Sequence, residues 1–192
     1  MKTPIYIILL FIFSIVSCKA QIIPVEQVVD NFENVEEGLT TYIKDVNHVL
    51  DAYVDTWTGN TNNKEYTFII TEKRIVFDEQ YNINIDVLVM KYLILDASNF
   101  NVIEDTRLLP DENAPCQGVV FRQFSGSGLS YEFYYSGEDY FCGQNGEVYV
   151  TLKNNNTQMF LKLGANHEKY SQCQTGWANQ VLPENGILLT KQ

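Results

Sequence analysis

From Tyr66 onward, apolar and polar positions along the chain alternate with a period of two. Tyr66, Phe68 and Ile70 fall on one side of an extended segment, with Thr67, Ile69 and Thr71 on the other. The period recurs at Leu88, Met90, Tyr92 and Ile94, at Leu129, Tyr131, Phe133 and Tyr135, at Val148, Val150 and Leu152, and at Met159, Leu161 and Leu163. This is the pattern of antiparallel strands with one buried face. Turn residues separate the runs at Asn60-Thr61-Asn62-Asn63, Gly126-Ser127-Gly128, Asn154-Asn155-Asn156 and Glu184-Asn185-Gly186. The spacing predicts strands at 54–59, 64–72, 87–96, 99–106, 118–124, 129–136, 147–153, 157–163 and 187–191. In meander order, a mainly β chain of about 8–10 strands closes most economically as an up-and-down antiparallel barrel, because closure removes exposed edges. A β-sandwich is the alternative. Outer-membrane barrels use strands of roughly 9–11 residues with an outward apolar band, and many runs here are shorter.

Ahead of the strands the period changes. Thr40 and Thr41 are candidate caps for one short helix running to Tyr53, with Ile43, Val46, Leu50 and Tyr53 on one face. Asp45, His48 and Asp51 share a three-residue step, which we read as a solvated helix face and not as a metal site. Earlier still, 18–38 is polar and acidic and predicts a tether. The first residues carry Lys2 and then 12 uncharged residues from Ile5 to Val16, well short of the ~20 that span a bilayer. That describes a signal peptide over 1–17. Its end, Ile15-Val16-Ser17-Cys18, resembles a bacterial lipobox, which implies cleavage before Cys18 and a diacylglycerol on its sulfur. The expected organisation is signal peptide 1–17, lipidated tether 18–38 and a helix-plus-barrel domain over 39–192. The expected place is extracytoplasmic, lipid-anchored to the bacterial outer membrane.

Charge narrows the partners. A net charge of −11 over 192 residues, with 13 Lys+Arg against 24 Asp+Glu, argues against nucleic acid. A hydrophobic content of 45 % is too high for an acidic disordered tail. No Gly-rich phosphate loop, His-Glu-x-x-His run, Cys-x-x-Cys pair or Gly-x-Ser-x-Gly elbow occurs. His48 and His167 are the only imidazoles, and Glu138-Asp139 and Asp111-Glu112 lack the spacing of a calcium loop. We expect no enzyme, no cofactor and no metal.

The run from Tyr42 to Trp57, with Asn47, Leu50 and Asp51 between them, resembles the opening of an uncharacterised family of small bacterial lipoproteins, a domain of unknown function. Ser17–Gln21 and Leu188–Gln192 resemble that family as well. Trp57 is also similar to the tryptophan of the Gly-x-Trp signature in lipocalins, with Asp55 where glycine is usual. That resemblance implies a lipocalin-like barrel with Trp57 packed across its base, and it implies no ligand.

The expected function is a monomeric, membrane-anchored binding module whose barrel mouth, rimmed by Tyr131, Phe133, Tyr135 and Tyr140, takes a small apolar or aromatic ligand. Core packing accounts for the same aromatics without a ligand. The alternative is an envelope protein-interaction or scaffold lipoprotein with a side-chain-filled barrel. Once Cys18 carries lipid, Cys116, Cys142 and Cys173 remain, and an extracytoplasmic place favours one disulfide. Hairpins turning at Ser127 and Asn155 put all three near one rim, with Cys116 opposite Glu138. Cys116–Cys142 is the preferred pair, because Pro115 fixes the strand entry and the loop around Gly143 can bend back. Cys142–Cys173 is the alternative.

Overall fold

The structure, a computed structural model, describes residues 21–30, 41–79, 81–124 and 128–192. The expected signal peptide over 1–17, Cys18 and part of the expected tether lie outside the described residues. Among the described residues there are eleven strands: β1 Gln21–Pro24, β2 Thr41–Lys44, β3 Asp55–Thr61, β4 Lys64–Asp78, β5 Ile83–Asp96, β6 Val102–Asp105, β7 Cys116–Phe124, β8 Gly128–Ser136, β9 Asn145–Lys153, β10 Gln158–Ala165 and β11 Ile187–Lys191. The only helical elements among the described residues are single turns of 3-10 helix.

The strands form one sheet in the order β1-β2-β5-β4-β3-β11-β10-β9-β8-β7, and β7 also returns to β5, giving a partial ring. Several ladders of the ring are long, while β3 and β11 share only Thr58↔Thr190 and Trp57↔Lys191. β4 and β5 pair from Lys64↔Asp96 to Asp78↔Ile83, and β9 and β10 pair from Gln158↔Lys153 to Ala165↔Gly146. The second edge of β5 is divided instead. β2 takes Ile83 to Ile85 in parallel, β7 takes only Val89 and Met90, and β6 takes Leu93 to Leu95. The predicted up-and-down antiparallel barrel is therefore met only in part: the sheet is mixed, and closure rests on two residue pairs.

Side chains patch this seam. The Leu88 N–H, facing the gap beside β7, donates to the Tyr131 hydroxyl at 3.1 Å. Gly118 makes room for that hydroxyl, since a Cβ there would lie 2.4 Å from it and 2.5 Å from the Leu88 carbonyl oxygen. Farther along, the Tyr92 N–H donates to Thr106 Oγ1 at 2.7 Å. Asp86 receives the Tyr42 hydroxyl at 2.6 Å, the Asp45 N–H at 3.0 Å and the Ile75 N–H at 3.2 Å, tying β2 and the β4 bulge to β5. The Leu88, Tyr92 and Asp45 N–H groups among these are buried donors that find an acceptor here.

The expected helix over 40–53 is not formed. Thr41 and Ile43 are buried with Tyr42 between them half-exposed, which is strand spacing, and Thr41–Lys44 pairs with both β1 and β5. The Asp45 carboxylate then accepts the Val49 N–H at 2.8 Å and the Leu50 N–H at 3.1 Å, closing a tight turn. A short polar side chain that bonds the backbone locally competes with helix propagation. What remains of the helix is one 3-10 turn, Leu50–Ala52. Nor is the tether loose over 21–30: Ile23, Val25 and Val28 are buried, and Val29 bridges Phe121. Their apolar side chains cover the end of the core at β5 and β7, and that burial outweighs the acidic composition that suggested a solvated linker.

Inside the ring the alternating residues fill the core. Trp57, Phe68, Tyr92, Tyr131, Phe133 and Tyr135 are its largest fully buried side chains. The Trp57 indole N–H donates to the Tyr53 carbonyl at 2.8 Å, and Lys191 Nζ sits 5.4 Å above its ring. With Asp55 in place of glycine, the strand still pairs at Asp55↔Ile70, and the carboxylate meets Lys191 at 3.4 Å.

Candidate functional site

Tyr131, Phe133 and Tyr135 do not rim a mouth. They are 2 %, 0 % and 0 % exposed and point into the filled core. Tyr131 packs edge-on against Phe121 and Phe133, with ring centres 5.1 and 5.2 Å apart. The void that touches Tyr131 measures about 10 Å³, at most the room of one water. The inward faces of neighbouring strands present bulky side chains to each other, so the ring is occupied by its own residues. The expected placement of these three at a barrel mouth is corrected on that ground.

Tyr140 is separate from them. It lies on the 3-10 turn Tyr140–Cys142, stacks on Tyr170 at 5.4 Å, and shares a 2.8 Å hydroxyl hydrogen bond with Tyr134. This is an outer aromatic cluster at the end of the sheet, fixed by a disulfide between Cys142 and Cys173. The preferred Cys116–Cys142 pair does not form. Cys116 pairs with Tyr135 and Tyr135 with Gly146, so two strand spacings, roughly 9.5 Å, lie between β7 and β9. A disulfide spans about 4.4–6.8 Å between Cα atoms. The segment after β10 does come close: the Tyr170 and Ala178 N–H groups donate to the Phe141 and Cys142 carbonyls, each at 2.9 Å. Cys116 stays a buried thiol, and burial pushes its ionisation up and out of range.

A cavity of about 410 Å³ lies between β6 with its exit, the segment entering β7 and the end of β8. Glu104, Asp105 and Thr106 of β6 and its exit form one wall, Leu109 and Pro115 a second, and Ser136 to Glu138 a third. The Tyr92 hydroxyl donates to Glu104 Oε1 at 2.7 Å. Burial raises the Glu104 carboxyl above its ordinary range. The Tyr92 hydrogen bond opposes that, Glu138 and Asp139 add to it, and Lys64 offsets it. Asp105 is already held by Arg107 at 2.8 Å. Glu104 and Glu138 have no such ion pair among the described residues. Behind this wall lies the Tyr135 hydroxyl, buried and without a hydrogen bond of good geometry.

Among the described residues, one acidic group has its ligand atoms within reach of a metal: Asp45, Asp51 and Glu72 lie within 4.8 Å of one another. Both Asp45 oxygens, however, are engaged by the Val49 and Leu50 N–H groups. His48 contacts Asp51 at 3.3 Å on the exposed side. Of the other acidic pairs, Asp111 is neutralised by Lys91 at 2.7 Å. Sequence reasoning missed the cavity beside β6 because Glu104 reads as one more acid in a polar run. Its one local sign is Thr106, a buried hydroxyl two residues on.

The model of a family of unknown function, DUF6705, matches residues 1–111, more than half of the chain. The match takes in β6 and the Leu109 side of the cavity and stops before β7. No curated protein and no solved structure matches the chain.

Proposed function

We propose that this chain, which belongs to the family of unknown function DUF6705, is a lipid-anchored extracytoplasmic module that works through its outer surface. The filled ring carries the reading. With Tyr131, Phe133 and Tyr135 packed into the core, an apolar ligand has no place inside the sheet. The envelope interaction role is therefore preferred to the internal binding pocket. Supporting the compartment are the apolar run ending at Cys18 and the Cys142–Cys173 disulfide, a bond kept in oxidising surroundings. Supporting the outward role are exposed apolar side chains on two projections: Phe77 on the β4–β5 arm, and Phe100, Val102 and Leu108 around β6.

Photo-crosslinking in cells tests it. A photoreactive residue at Leu108 or Phe77 should give a discrete protein adduct, and one at the buried Phe133 should give none. Absence of any adduct from the exposed positions overturns the interaction role. Fatty-acid labelling that persists in Cys18→Ala overturns the anchor.

A further inference from the structure

We propose that the turn end of the β4–β5 arm rests on the bilayer that holds the N-terminal anchor, with Ile22, Phe77 and Tyr81 in the headgroup layer of a zwitterionic phospholipid surface. This rests on the lipid anchor at Cys18, and it refines the outward role by giving each of the two apolar projections its own partner. The strand registers carry it. Gln21, Thr41, Ile83 and Asp78 lie side by side across β1, β2, β5 and β4. β1, β2 and β5 run parallel and begin in that row, where β4 ends. The chain therefore enters β1 at the end of the sheet where the arm turns. Cys18 stands three residues before Gln21, at most about 10 Å of extended chain. From β1 to β4 there are three strand spacings, roughly 14 Å. A lipid on Cys18 thus holds the membrane against this end of the sheet.

The same end is apolar on its outside. Ile23, Ile43, Ile85 and Val76 form a row that packs on the core, so the neighbouring row of Ile22, Tyr42, Asn84 and Phe77 faces outward. Ile22 and Phe77 are 56 % and 54 % exposed, Ile75 at the bulge 66 %, and Tyr81 beyond the turn 44 %. Single exposed apolar residues are ordinary; four at the end that carries the anchor mark a contact surface. Lys44 Nζ, 5.8 Å from the Tyr42 ring, adds a cation on an apolar stem, which suits a headgroup layer. Asp78 and Glu79 at the turn, in a chain of charge −11, keep the contact shallow and disfavour anionic lipid. β6 lies toward the other end of β5, pairing with Leu93 to Leu95, roughly 33 Å of strand from Ile83. Leu108 and its neighbours are therefore held off the bilayer, and the protein adduct is expected there and not at Phe77.

The test is electron paramagnetic resonance of the full lipidated protein in vesicles of phosphatidylcholine and phosphatidylethanolamine, with a nitroxide on Phe77→Cys, Tyr81→Cys or Leu108→Cys. Cys116 is buried and Cys142 and Cys173 are bonded to each other, so the label goes to the introduced thiol. At positions 77 and 81 dissolved oxygen should relax the nitroxide more than an aqueous nickel chelate does, and at 108 the order should reverse. Tyr81→Cys decides the matter if Phe77→Cys fails to fold. Nickel-dominated relaxation at 77 and 81 overturns the proposal, and so does the same oxygen-to-nickel ratio at all three positions. Protection from both reagents at 77 and 81 would show a second copy seated on the arm, which also overturns it. Mass spectrometry of the N-terminal peptide reports the lipid separately. Without diacylglycerol on Cys18 the anchor fails and this inference with it. With the lipid present and the arm in water, the orientation alone fails and the interaction role stands.

Discussion

The two sides of the ring are built differently. From β8 through β9 to β10 the strands meet in continuous antiparallel ladders, and backbone groups satisfy one another. Along the second edge of β5, three partners share one strand and leave gaps that Tyr131, Thr106 and Asp86 fill with side-chain oxygens. Both sides bury their inward residues fully. The difference lies in what a single substitution removes. From β8 to β10 the backbones complete one another's hydrogen bonds, whereas at the seam the Tyr131 and Thr106 hydroxyls do so for Leu88 and Tyr92.

The largest effect should come from core packing away from the seam. Trp57 is fully buried and bonded to the Tyr53 carbonyl, so Trp57→Ala should cost about 3–5 kcal/mol in denaturant unfolding. A loss under ~1 kcal/mol would show that the core relaxes around it. Next is the staple. Cys142 and Cys173 are 31 residues apart, and replacing both with Ser should cost about 3–4 kcal/mol by the chain-entropy account. The same pair of substitutions should release the Tyr140–Tyr170 stack, read as a change in near-ultraviolet dichroism. The seam should respond more locally. Tyr131→Phe leaves the buried Leu88 N–H without its acceptor and should cost about 1–3 kcal/mol. Hydrogen exchange at Leu88 should accelerate far more than at Val148 or Val150. Uniform acceleration would mean that the two sides unfold as one unit and that the seam is no weaker.

The ladder side was legible for a physical reason. Alternation along Leu129–Tyr135, Val148–Leu152 and Met159–Leu163 records one buried face, and a three-asparagine turn sets the pairing of Gln158 with Lys153. All nine expected strands occur there and beyond. Where the turn is less sharply marked the register drifts: Cys116 meets Tyr135, not Glu138, because Phe124 pairs with Gly128 and the ladder slips between Gly118 and Phe121. The seam was not legible. The parallel pairs of β1 with β2 and of β2 with β5 join segments far apart in the chain, and parallel pairing of four-residue strands has no local sequence sign. Ile43, Leu50 and Tyr53 fit a helical face, yet Asp45 turns the chain between them. A carboxylate that bonds backbone and one that faces solvent look alike in a sequence. The same ambiguity hid Glu104.

The smallest effect, and the one most specific to the seam, is its pH dependence. Burial, with Glu138 and Asp139 nearby, raises the Glu104 carboxyl above its ordinary value of 4.5, against the Tyr92 hydrogen bond and the charge of Lys64. The folded state therefore holds this proton more tightly than the unfolded chain does. At pH below the ordinary value Glu104 is protonated in both states, and its favourable contribution is complete. As pH rises through the folded-state value, the carboxylate forms inside the seam and that contribution is lost. Glu104→Gln cannot ionise and should abolish this part of the profile, so its stability relative to the parent should rise from pH 4 toward pH 7. Glu147, on the ladder side, is also raised by burial and by Glu132, but an Asn166 hydrogen bond and Arg122 oppose the shift. Its Gln variant serves as the comparison across the ring. Parallel wild-type and Glu104→Gln curves in urea titrations over that range would mean that Glu104 ionises as freely as a surface acid, and that the seam admits water to it.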